Sequence, residues 1–290
     1  MKKNIFLAGI ALLFAACSNE NETLVDNIDE LVPVRVHVTG FSVSQEEFSG
    51  TRAADNLVNY SGINAVTLAF YKGDGTETYK TTQAKDDADF GEFSLSLPMG
   101  SYTMVAVAYY TNDYSVLTLT SPTEATYNVR AKETFAYTQP VTFSNTNAVD
   151  ISATLSRIVS MLTVKSSDGK TADVSNVRMT FSAGDKDFNP TTGLALTNTG
   201  FANTVSNSAS VGSTSTSSTV LFLNSDEQDI DVTIETLDAD GNTLFSKTIE
   251  NVPFKRNRKT ILTGAMYSNE ALSGTFQVET DWLADENGSF

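Results

Sequence analysis

Between Leu31 and Thr39 every second residue is a valine: Val32, Val34, Val36 and Val38, with Arg35, His37 and Thr39 between them. A period of two places the valines on one face of an extended chain and the polar residues on the other. No helix could gather these four side chains on one side. A half-buried strand is therefore expected over residues 31–43. Pro33 has no N–H for a ladder, so this strand is expected to begin at a sheet edge.

The rest of the chain repeats this pattern. Strands are expected near 64–72, 92–98, 101–110, 115–119, 126–130, 134–143 and 149–165. More follow near 174–182, 218–224, 229–237, 243–249, 258–267 and 274–283. Thr, Ser, Val, Phe and Tyr are abundant, and Asn and Gly recur between the apolar runs, as in proteins built of many short strands. The fold class expected is all-β. The only helical spacing is Leu155, Ile158, Val159 and Leu162, and its β-branched residues suit a strand at least as well. Lys72-Gly73-Asp74-Gly75 signals a turn, and Pro98-Met99-Gly100 reads as a hairpin between two apolar strands. Residues 203–219, rich in Ser, Thr and Asn, read as a long exposed loop. The expected organisation is an N-terminal β-sandwich over 31–148 and a C-terminal one over 149–290.

The N-terminus has a different character. Lys2 and Lys3 precede an apolar run from Ile5 to Phe14, and Ala15 and Ala16 follow. This is a secretory signal, too short for the roughly 20 apolar residues that span a bilayer. The ending Leu13-Phe14-Ala15-Ala16-Cys17 resembles the bacterial lipobox, although Phe14 departs from the usual small or aliphatic residue. Residues 1–16 would then be removed and Cys17 would carry the lipid that holds the chain to a membrane. The alternative is a buried cysteine in an N-terminal helix. Residues 17–30 form an acidic tether. Cys17 is the only cysteine, so no internal disulfide can form.

The formal charge of −16 disfavours nucleic acid and anionic headgroups as partners. With one histidine and one cysteine in the chain, neither a zinc site of His and Cys ligands nor a Ser-His-Asp or Cys-His constellation is expected. Asp86-Asp87-Ala88-Asp89 looks like a solvated loop. Asp238-Ala239-Asp240-Gly241 is similar to the start of a calcium loop, but a hairpin turn suits it better. No enzymatic activity and no cofactor are expected. Lys255-Arg256-Asn257-Arg258-Lys259 reads as an exposed turn, or as a rim contact to an acidic neighbouring surface.

Four stretches resemble fimbrillin-type pilins and fimbrial accessory lipoproteins of Bacteroides and Porphyromonas relatives, the type V pilus system. They are the lipobox Cys17 with its acidic tether, the Ser49-Gly50-Thr51-Arg52-Ala53-Ala54 loop, Leu155-Ser156-Arg157-Ile158-Val159, and Asn251-Val252-Pro253-Phe254 running on into the basic turn, followed by Leu262-Thr263-Gly264. The resemblance implies two tandem transthyretin-like β-sandwich domains behind a lipoprotein signal peptide. It implies export to the outer membrane and cell surface, and cleavage between Arg52 and Ala53, in the 44–56 loop, by an Arg-specific protease. Loss of the strand bearing Val32, Val34, Val36 and Val38 would open a groove, filled by a strand of another fimbrial subunit. The candidate donor is 274–283, with Phe276, Val278, Thr280 and Trp282. Accessory members of the family can keep the first strand and the lipid as an anchor or tip. A glycan-binding surface lipoprotein is the other reading, with Tyr109, Tyr110 and Tyr114 as candidate contacts and a host or bacterial surface ligand as partner.

Overall fold

A computed structural model of the chain describes residues 30–39, 57, 60, 62–267 and 277–280, the last four as backbone only. Cys17, the tether, Arg52, Ala53, Phe276 and Trp282 lie outside the described residues. There is no α-helix among the described residues; Leu57 and Tyr114–Val116 are 3₁₀.

The valine strand β1 (Leu31–Thr39) lies between β4 (Glu92–Pro98), antiparallel to it, and β9 (Val149–Thr154), parallel to it. It is thus a middle strand. Residues 31–33 are paired on the β4 side only, since the β9 ladder begins at Val34. That is how the chain tolerates Pro33: the missing N–H falls where one flank is still an edge.

A five-stranded sheet packs against this one. Its order is β10 (Ser156–Arg157), β8 (Thr134–Phe143), β5 (Gly100–Tyr109), β2 (Ala65–Lys72) and β3 (Glu77–Ala84). β2 and β5 are buried on both faces. Val66, Leu68, Phe70, Met104 and Ala106 face the β1 valines. Ala65, Ala69, Tyr71, Val105 and Val107 face a second core under β6 (Leu117–Ser121) and β7 (Glu124–Tyr127). Burial on both sides explains why these strands are continuous apolar runs without alternation.

The expected hairpin at Pro98-Met99-Gly100 does not form. β4 and β5 belong to different sheets, so this corner carries the chain from one layer to the next. Tight turn residues suit either geometry, and only the pairing of the flanking strands separates them.

The second sandwich stacks two four-stranded sheets. One has the order β16 (Thr216–Leu221), β11 (Ser160–Ser166), β19 (Lys259–Gly264) and β20 (Gln277–Thr280). The other has the order β15 (Phe201–Ser206), β12 (Asn176–Phe181), β17 (Glu227–Leu237) and β18 (Thr243–Lys255). Leu162, Val164, Met179, Phe181, Val232, Ile234 and Phe254 fill the space between them. Short strands β13 (Phe188–Asn189) and β14 (Leu194–Ala195) extend the β6–β7 sheet, so the middle core draws Phe188, Val220 and Phe222 from this half of the chain.

Two sequence expectations change here. The stretch expected as one strand over 149–165 is three: β9 joins β1, β10 joins β8, and β11 enters the second sandwich. β9 therefore lies with the first sandwich although the boundary expected at 148/149 assigned it to the second. Residues 203–219 are not one exposed loop, because β15 and β16 occupy both ends. Their inward positions carry hydroxyls and amides that are satisfied: Asn203 donates to Thr219, Thr163 and Ser218 share a hydrogen bond, and Ser215 N–H donates to Ser166 Oγ at 2.7 Å. A Ser/Thr-rich strand gives no apolar alternation, yet it buries well once each polar group has a partner.

Gly200, at the entry to β15, has φ of +70°, and a Cβ there would lie 2.2 Å from the Phe181 carbonyl oxygen. Neither the dihedral nor the space suits another residue. Gly200→Ala is expected to lower stability by more than about 1 kcal/mol. An unchanged thermal midpoint would contradict this.

Candidate functional site

β1 is held on both flanks and on its inner face. Val32, Val34, Val36 and Val38 are all at most 4% exposed, whereas Leu31 is half exposed. They rest on Leu68, Phe70, Phe93, Leu97, Ile151 and Ala153. Seven residue pairs join β1 to β4 and six join it to β9. On the outer face His37 Nδ1 meets the carboxylate of its cross-strand partner Glu92. Withdrawing β1 would expose backbone groups on both flanks and an apolar floor between them. The place β1 fills suits an extended segment with alternating apolar residues.

The other expected elements are placed as follows. Of the donor segment, Gln277–Thr280 forms β20, antiparallel to β19 at the edge of its own sheet, with Val278 opposite Leu262 and Thr280 opposite Thr260. Tyr109 is fully buried and packs edge-on against Tyr127 at 6.2 Å, so it cannot serve as a surface contact. Tyr110 and Tyr114 are about half exposed. The Asp238 loop is a hairpin turn between β17 and β18: its carboxylate accepts from the N–H groups of Asp240 and Asn242, at 2.9 and 2.8 Å. The Asn242 bonds above all hold that carboxyl below the usual range. Among the described residues no group of three or more His, Cys, Asp and Glu could hold a metal ion.

The structure joins two of the four stretches that carry the resemblance. Arg157, on β10, is nearly buried. Its guanidinium pairs with Glu133 at 2.6 Å, donates to Tyr60 Oη at 2.7 Å and to Asn257 Oδ1 at 3.2 Å, and lies 4.9 Å from the Phe135 ring centre. Asn257 N–H donates to the Val159 carbonyl and Met161 N–H to the Arg258 carbonyl. The basic stretch is therefore an engaged turn rather than an exposed one. Arg256 also pairs with Asp226 and donates to the Thr192 carbonyl, and Lys255 pairs with Glu227 at 2.5 Å. Asn251 and Asn257 have φ of 53° and 58°, a region that asparagine enters more readily than most residues. Tyr60 gives no sequence signal for its part in this junction, since it meets Arg157 across nearly 100 residues of chain.

A family model described as a family of unknown function, DUF6562, matches residues 33–287. The chain belongs to that family. Among solved structures, the chain is similar to a candidate adhesin from Bacteroides thetaiotaomicron, with a TM-score of 0.52 and 11% identity over 87% of this chain and 97% of that one. It is also similar to a candidate adhesin from Bacteroides ovatus, with a TM-score of 0.51 and 12% identity over 89% of this chain and 96% of that one. These two share the fold of this DUF6562 member across almost their whole length. The fimbrial anchor protein Mfa2 from Porphyromonas gingivalis gives 12% identity over 87% of this chain and 98% of that one, with a TM-score of 0.49. A search of curated proteins returned no match.

Proposed function

We propose that this chain is a structural subunit of a cell-surface fimbria that supports adhesion. On this reading Cys17 carries it to the outer membrane as a lipoprotein, an Arg-specific protease cuts between Arg52 and Ala53, and a strand of another subunit replaces β1. The observation that carries the reading is the placement of β1 between two strands, over an apolar floor. A strand at an edge would leave one ladder open when removed; a middle strand leaves two, and water cannot satisfy the floor beneath them. Donor-strand addition satisfies both at once. The fold shared with candidate adhesins supports the same role.

A second reading is favoured by β20. Its four residues already pair with β19 of the same chain, so donating the 274–283 segment would cost this chain an edge strand. A subunit that keeps both its C-terminal strand and its β1 would be an uncleaved anchor or tip, held by the lipid on Cys17. N-terminal sequencing of assembled surface material separates the two. A start at Ala53 is the expected result. Assembled protein starting at Cys17 would overturn cleavage and leave the anchor.

A further inference from the structure

We propose that a cleft where the two sandwiches adjoin binds an acidic saccharide through Arg130, Lys132 and the ring of Tyr110. The cleft has a volume of about 420 Å³ and is walled by Tyr110–Asn112, by the 130–133 segment, and by Ser218–Val220 of β16. That size lies within the roughly 300–1,000 Å³ of small-ligand clefts.

The charge pattern points to an anion. Ala131 is buried, and the cations on either side of it both line the cleft. No described carboxylate forms an ion pair with either. The neighbouring Glu133 is committed to Arg157 and Tyr60. Burial, and then the charge of Arg130, push Lys132 below its ordinary value. The two cations share one cleft wall and repel each other. A carboxylate or sulfate placed between them would relieve the repulsion.

The remaining wall selects a sugar over a bare ion. Tyr110 is 46% exposed, so its ring offers a flat apolar face on which the C–H face of a sugar can stack. Asn112 lies beside it on the cleft wall, an amide able to donate to and accept from sugar hydroxyls.

The test is isothermal titration of the full chain in detergent with a hyaluronan tetrasaccharide, which alternates glucuronate with N-acetylglucosamine. Chitotetraose is the neutral comparison and inorganic sulfate the bare anion. The tetrasaccharide is expected to bind about tenfold or more tighter than either. Arg130→Gln with Lys132→Gln should lose about tenfold or more, while Lys132→Arg keeps binding. Tyr110→Ala should weaken the tetrasaccharide and leave sulfate unchanged. Equal binding of chitotetraose or of sulfate, or no saturation by the tetrasaccharide, would overturn the proposal. A readout on the unaltered chain guards against misfolded variants: bound tetrasaccharide should slow acetylation of Lys132 by acetic anhydride, followed by peptide mass spectrometry. Lys132 modified equally fast with and without the sugar would overturn it too.

Discussion

A chain that begins at Ala53 is expected to self-associate instead of remaining a stable monomer. It lacks β1, and with it four valines buried between two sheets. Full burial of a valine is worth about 1.5–3 kcal/mol, so the four together account for roughly 6–12 kcal/mol. That is as large as the whole stability of a typical domain, about 5–15 kcal/mol. The ladder groups of β4 and β9 lose their partners as well. The truncated chain must find another strand, and the nearest source in concentrated solution is a second copy. Size-exclusion chromatography should show assemblies, and a synthetic peptide of residues 31–39 added in trans should suppress them. A peptide with serine at the four valine positions should not. A truncated chain that stays monomeric, with the thermal midpoint of the full chain, would remove the basis of the strand-exchange reading. Cleavage after Arg52 by itself would leave β1 seated, because only the 44–56 loop that joins it to the rest of the chain is cut. The clipped strand then loses the effective concentration its linkage supplied, on the order of millimolar, and becomes open to competition.

Arg157→Ala is expected to cost about 3–5 kcal/mol. Arg157 and Glu133 are about one-tenth exposed and 2.6 Å apart. Deleting the guanidinium strands a carboxylate away from water and unseats the Tyr60 and Asn257 contacts together. Arg157→Ala combined with Glu133→Gln should recover part of the loss, since no charge is then left unpaired. Arg157→Lys should also destabilise, because an ammonium cannot reach Glu133, Tyr60 and Asn257 as the planar fork does. Urea unfolding measures all three. A loss below about 1 kcal/mol for Arg157→Ala would mean that the junction is held by packing alone.

Much of the strand inventory was legible because side-chain period is a local property. The Val32–Val38 alternation marks β1, and the apolar runs at 64–72 and 101–110 mark β2 and β5 within a residue of their ends. β3 was missed: its sequence, ETYKTTQA, is polar along an edge and half exposed, so it carries no core stripe. β15 was missed for a related reason, its residues lying largely in a stretch whose polarity suggested a loop. The candidate site was half legible. The valines point to a core-facing strand, but nothing near them says that its parallel partner is β9, more than 100 residues on. Nor does Lys132 announce its neighbourhood. Two cations two residues apart are common on a surface, and only the fold shows that no described acid pairs with them.

By itself the sequence determined that the fold class would be all-β, that His-based and Cys-based catalysis had almost nothing to draw on, and where the buried face of β1 lies. Those follow from residue type and spacing over a few positions. Only the tertiary structure decided that β1 is a middle strand, that Pro98–Gly100 turns a corner between sheets, and that Arg157 meets Asn257. Backbone ladders are nearly blind to sequence: any extended segment can pair with any other. Which pairs form is settled by the packing of side chains brought together from distant parts of the chain, and that information does not reside in any one stretch of residues.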